Sequence, residues 1–219
     1  MRRVLALVGV MVLVGCGADT EPVPTVEDDR PASPEEVFSL LSVALDESDF
    51  SSAAQLSDSS QFPILAIAEG KGPREAAALT SADLRAVGAN FWSGFATQLR
   101  SAVDAGLADL AAGPATRSVA GNSEFATIEL TLPREASVRT IVLRDTTEGW
   151  VVDLIASFPS PLLGLVPNAA QVIRSSGDVG LREALTGYED SVNFVLERSG
   201  VDEPMLNQAA LAALEAIVR

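Results

Sequence analysis

The 219-residue chain carries 30 acidic and 15 basic residues and no histidine, a formal charge of −15 at pH 7. Such a surface repels phosphate backbones, which excludes nucleic-acid binding, and the lack of histidine removes the commonest general base, the Ser-His-Asp and Cys-His constellations and histidine-held zinc. A single cysteine, Cys16, excludes an internal disulfide, so an apolar core must supply the stability.

The chain opens on Met1-Arg2-Arg3 and an apolar run from Val4 to Val14. That run is about eleven residues, roughly half of the ~20 that a bilayer-spanning helix needs. A positive start, a short apolar stretch and small residues at its end are the parts of a secretory signal. Its last residues, Leu13-Val14-Gly15-Cys16, resemble the lipobox of bacterial lipoproteins. The resemblance implies that residues 1–15 are a signal peptide cleaved after Gly15, and that Cys16 carries a diacylglyceryl group as the new N-terminus. It further implies an exported protein, lipid-anchored to the cell-envelope membrane (outer leaflet or outer membrane), with its folded part in the periplasmic or extracellular space. Loss of Arg2 and Arg3 with the signal takes the formal charge from −15 to −17.

After Cys16, the stretch "GADTEPVPTVEDDRPA" from Gly17 to Ala32 holds Pro, Asp and Glu with almost no large apolar residue. It cannot bury enough surface to offset chain entropy, so residues 16–32 read as a lipidated cysteine and a disordered tether. Folding begins at Ser33-Pro34-Glu35-Glu36, a capping box with proline at the first helical position. Val37, Leu40, Leu41, Ala44 and Leu45 then mark one helical face, Ser48-Asp49 breaks it, and Phe50, Ala53, Ala54 and Leu56 indicate a short second helix. "FPILAIA", Phe62 to Ala68, is too short to assign, and Gly70-Lys71-Gly72-Pro73 reads as a loop.

The strongest helical pattern runs from Ser81 to about Ala112. Leu84, Val87, Phe91, Phe95, Leu99, Val103, Leu107 and Leu110 recur at three- and four-residue steps before Gly113-Pro114. Gly88 and Gly94 within it point to a kink or to close approach of another element. The period then becomes two. Strands are predicted over Ser123 to Leu132, Val138 to Asp145 and Trp150 to Phe158, with a further one near Thr116 to Ala120. They are separated by Pro133-Arg134-Glu135-Ala136 and by Asp145-Thr146-Thr147-Glu148-Gly149, both turn chemistry, which makes an antiparallel meander. Beyond "FPSPLLGLVP" the chain returns to helix, with Leu181, Leu185, Tyr188, Val192 and Val195 as one stripe closed by Gly200. Pro204 opens a last helix carrying Leu206, Leu211, Leu214, Ile217 and Val218.

The expected fold class is therefore α+β: N-terminal helices on a curved antiparallel meander, followed by C-terminal helices. Residues 33–158 form the α+β domain and 159–219 a helical extension packed on it. Helices first, then a meander whose last strand opens "EGWVVDLI", resembles the NTF2-like cone fold over Ser33 to Phe158. The chain departs from that unit in showing no hairpin after the second helix and in continuing beyond Pro159.

The sequence excludes more chemistry than it offers. Gly121-Asn122-Ser123-Glu124-Phe125 lacks the closing glycine of a nucleophile elbow, and Leu65 stands where a P-loop before Lys71 needs glycine. No EF-hand loop, cofactor motif or metal-ligand spacing is present. Asp28-Asp29 and Glu35-Glu36 sit in a tether and at a helix start, ordinary places for carboxylates. The remaining candidates are aromatic: Phe91, Trp92 and Phe95 on the long helix, and Trp150 at the start of a strand that could face it. Cone-fold domains hold ligands between such a helix and sheet. Asp153 is expected on that strand, on the opposite alternation to Trp150. Trp92 falls beside the apolar stripe, which suggests a second packed layer or a contact surface. The functional expectation is a non-catalytic binding or structural module of the envelope. It would be held to the membrane through Cys16 and act on an unidentified envelope protein; the alternative is a carrier of an apolar ligand in a helix–sheet cavity. An enzyme would have to rely on Asp, Glu, Tyr188 or a carboxylate-held metal.

Overall fold

The computed structural model describes residues 31–132, 138–176 and 181–199. The lipobox with Cys16, the tether as far as residue 30, the turn at Pro133 to Ala136 and the helix expected from Pro204 lie outside the described residues.

The architecture is α+β, with helices before and after one antiparallel sheet. Helix α1 (Pro34–Asp46) starts as its sequence requires, Ser33 Oγ accepting the Glu36 N–H at 3.1 Å. Only half of the capping box forms, because Glu36 reaches past Ser33 to the Ala32 N–H at 2.8 Å. The chain breaks at Ser48, which takes a left-handed backbone (φ 62), and Asp49 caps α2 (Phe50–Gln55). The unassigned "FPILAIA" is helix α3 (Phe62–Ala68), entered through a 3₁₀ turn with Pro63 in its first turn, and the expected loop at 70–73 leads into a short α4 (Pro73–Ala77). Helices therefore occupy the stretch where a cone fold has its hairpin.

Helix α5 (Ser81–Val103) is capped by a reciprocal Thr80–Asp83 box. It ends nine residues before the expected Ala112, because Asp104 turns left-handed (φ 53). Leu107 and Leu110 are buried as the spacing required, but from an irregular segment that folds back onto the core. Gly88 answers to the expectation of close approach, since a Cβ there would stand 2.7 Å from the Phe62 ring; Gly94 faces open space.

The sheet comprises β1 (Ala111–Ala112), β2 (Thr116–Ala120), β3 (Ser123–Thr131), β4 (Val138–Thr146) and β5 (Gly149–Val152). β1 and β2 pair in turn with one edge of β3, and β4 and β5 continue the meander. The last strand is shorter than the predicted Trp150 to Phe158. Asp153 accepts the Ala156 N–H at 2.8 Å and so starts helix α6 (Leu154–Ser157). The sheet is curled, for the Arg117 guanidinium of β2 lies 5.2 Å above the Trp150 ring of β5 although β3 and β4 run between them.

Strand alternation sorts the sheet residues into two faces. Ala126, Ile128, Leu130, Ile141, Leu143 and Val152 share one face and are buried. Phe125, Thr127 and Arg144 share the other, which α9 (Leu181–Ser199) crosses, its Phe194 stacking on Phe125 at 4.6 Å. Between α6 and α9 come α7 (Pro159–Leu162), a 3₁₀ turn and α8 (Val166–Ser176), which lies against α3, α4 and α9. One continuous apolar core reaches from Val37 in α1 to Val195 in α9. Among the described residues no helix is long and apolar enough to cross a membrane.

Candidate functional site

The structure brings Phe91, Trp92 and Phe95 together around a residue that the helical spacing could not indicate, Phe158. Phe158 lies 5.2 Å from Phe91, 6.0 Å from Trp92 and 5.4 Å from Phe95, all edge-to-face, the geometry aromatic quadrupoles prefer. Trp92, expected beside the core face, is completely buried, so it offers no contact surface. Its Nε1–H donates to Ser57 Oγ at 2.9 Å, fastening α5 to the segment in which Ser57 bridges Val152 of β5. Val87, Gly88, Trp92 and Ala96 form the inward line of α5, leaving Phe91 and Phe95 half-buried at its flank. Trp150 is elsewhere, buried on the sheet beneath Arg117, whose other partner is Glu124 at 3.2 Å.

A second cluster is polar and buried. Arg144 of β4 donates from Nη2 to Asp58 Oδ2 and from Nε to Asp153 Oδ2 at 3.2 Å. Ser191 of α9 hydrogen-bonds to the same Asp153 oxygen and lies 3.4 Å from Gln61 Nε2. Gln61 Oε1 in turn accepts the Leu154 and Ile155 N–H groups at 2.7 and 3.1 Å, and the Tyr188 hydroxyl donates to the Ser60 carbonyl. Arg144 reaches this position because residue 187 is glycine: a Cβ there would stand 2.7 Å from its guanidinium. Burial raises the Asp153 pKa, with the Asp58 charge adding to it and Arg144 and Ser191 opposing. Burial also holds the Tyr188 phenol well above its ordinary range. For Arg144 burial works downward, but the two carboxylates outweigh it and the guanidinium stays charged.

Two carboxylates, a guanidinium, a phenol and a serine would be material for acid–base chemistry in an open cleft. Here the carboxylates, the guanidinium and the serine are turned onto one another and the phenol onto the Ser60 carbonyl, and among the described residues no buried side-chain nitrogen or oxygen lacks a hydrogen-bond partner. The cluster joins four segments (residues 58–61, β4, the start of α6, and α9) as an internal clamp. Of its members only Asp153 and Tyr188 drew notice from sequence. The available signals were Arg144 on the alternation that also carries the buried Val142, and a glycine next to Tyr188 inside a helical stripe.

An open concavity lies where α9 passes over the sheet edge. A groove of about 330 Å³ runs between Thr116 and Ser118 of β2, Thr127 and Glu129 of β3, and Phe194 and Arg198 of α9. Arg198 donates to Thr127 Oγ1 at 2.7 Å and lies 3.7 Å from Glu129. Among the described residues no group of three or more Cys, Asp or Glu is placed to hold a metal. No protein-family model, curated protein or solved structure matches this chain.

Proposed function

We propose that this chain is an exported lipoprotein, anchored through acyl chains on Cys16, whose folded part acts in the cell envelope by contact with another molecule rather than by catalysis. The observation that carries the reading is Leu13-Val14-Gly15-Cys16 after a short apolar run with two leading arginines. One acyl chain holds a protein only marginally while two hold it stably, so the modification suffices as an anchor without a spanning helix. What supports a non-catalytic role is that Asp58, Arg144 and Asp153 are engaged with one another, and that no buried side-chain nitrogen or oxygen among the described residues lacks a hydrogen-bond partner. What weighs against an enclosed apolar ligand, as an NTF2-like carrier would hold, is that Trp92, Phe62, Phe125 and Leu143 are fully buried in one continuous core.

Fractionation of cells tests the reading. The unaltered chain is expected in the membrane fraction and released by detergent alone; the Cys16→Ser variant is expected in the soluble fraction. A Cys16→Ser chain that remains with the membrane contradicts the anchor. A non-covalent lipid that mass spectrometry finds at one equivalent in the native protein and not in the delipidated and refolded protein would restore the carrier reading.

A further inference from the structure

We propose that the outer edge of β2 is a docking strand for an extended, positively charged segment of an envelope protein, whose alternate side chains enter the groove beneath α9. The proposal rests on the contact-module reading above and names the surface and the partner chemistry.

The edge follows from register. Ala120 pairs with Ser123 across the two-residue turn Gly121-Asn122, so these two exchange both main-chain hydrogen bonds. Ser118 with Phe125 and Thr116 with Thr127 repeat that pattern, which turns the N–H and C=O of Arg117 and Val119 away from β3. Among the described residues no backbone hydrogen bond covers them. At the opposite edge of the sheet Val152 of β5 is covered, donating to Leu56 O at 2.8 Å and accepting from the Asp58 N–H at 3.0 Å. Folded proteins blunt open edges with charge or proline. Here Pro114 guards the approach to β2, but Val119 is 69% exposed, the most exposed large hydrophobic side chain among the described residues.

The second feature is the groove. Thr116 and Ser118 point to the face that α9 crosses, so a strand added to β2 places the residues opposite them beside the groove, above Phe194. An edge that supplies main-chain bonds and a helix-roofed recess that receives alternate side chains are the two parts of strand-addition recognition. Charge selects the occupant. Arg117 and Arg198 are already paired with Glu124 and Glu129, whereas Glu197 on the groove wall is in no ion pair among the described residues. The whole chain carries −15, so a basic segment is attracted and an acidic one repelled. A second copy fits poorly: it would set two acidic chains together over a five-residue strand, burying far less than the ~1,200 Å² of a stable interface.

The test uses the full chain in detergent micelles and short, end-blocked peptides of alternating Lys and Val or alternating Glu and Val, read by amide hydrogen exchange and by titration. The Lys–Val peptide is expected to slow exchange at the Arg117 and Val119 amides, and the Glu–Val peptide is not. Val119→Pro removes one outward N–H without touching the β2–β3 ladder, and is expected to weaken Lys–Val binding about tenfold with an unchanged unfolding midpoint. Peptide binding that leaves both amides unaffected, or equal binding of the Glu–Val peptide, overturns the proposal. So does protection of those amides in the free chain: independent of concentration it assigns the edge to residues 200–219, and rising with concentration it assigns it to a second copy. None of these outcomes depends on whether Cys16 is acylated, so this proposal and the anchor stand or fall separately.

Discussion

Gly187 interrupts the apolar stripe of α9, where glycine costs about 1 kcal/mol relative to alanine. The reason for it is Arg144, whose guanidinium fills the space a side chain would take. Gly187→Ala is therefore expected to lose stability by about 1–3 kcal/mol in urea unfolding, overpacking outweighing the propensity gained. Gly94→Ala in α5 meets nothing within 4 Å and is expected to gain about 0.5–1 kcal/mol. If both variants are stabilised alike, the guanidinium is not where it is described. Asp153 sets the pH dependence of the same cluster. Its folded pKa is raised above the ordinary 3.8, so its stabilising contribution is full below 3.8 and is lost as the pH rises through the raised value. The exposed caps Asp49 and Asp83 have lowered pKa values and act in the opposite sense, their contribution fading as the pH falls. Asp153→Asn is expected to remove the decline of unfolding free energy that sets in as the pH rises above 3.8. An unchanged slope would mean that Asp153 is not buried beside Asp58.

At the scale of elements, much of the order was legible. Ser33-Pro34 and Gly149-Trp150 mark a helix start and a strand start because capping and turn geometry are local, and both stand within a residue of their expected places. The end of the long helix was not legible. Leu107 and Leu110 keep helical spacing because both are buried, and a segment folding back on a core can satisfy that spacing without being helical. Trp150 to Phe158 ran too far for a related reason: buried Val152, Leu154 and Ala156 alternate as a strand would, while the Asp153 cap had already begun a helix. The polar clamp was illegible because its members are separated by up to 133 residues, from Asp58 to Ser191, and meet only after the sheet curls. α9 belongs to this scale as well. It holds to the sheet through the Phe194–Phe125 stack and the Arg198–Thr127 hydrogen bond. Phe194→Ala is expected to cost about 3–5 kcal/mol and to quicken amide exchange along α9 more than along α5. Equal acceleration in both helices would show that α9 does not open by itself.

Taken whole, the chain joins an acidic α+β body, whose buried side-chain polar groups are hydrogen-bonded inside it among the described residues, to an N-terminal segment with the composition of a leader and a tether. In the arrangement we propose, acyl chains on Cys16 would hold the body near the membrane while its negative charge would keep it away from anionic headgroups. The proposed anchoring in the envelope depends on that arrangement, and the mass of the N-terminal peptide of the protein purified from its own membranes tests it most directly. The account requires a peptide that begins at Cys16 and carries a diacylglyceryl group, with residues 1–15 gone. A peptide that begins at Met1, or one in which Cys16 is a free thiol, contradicts it.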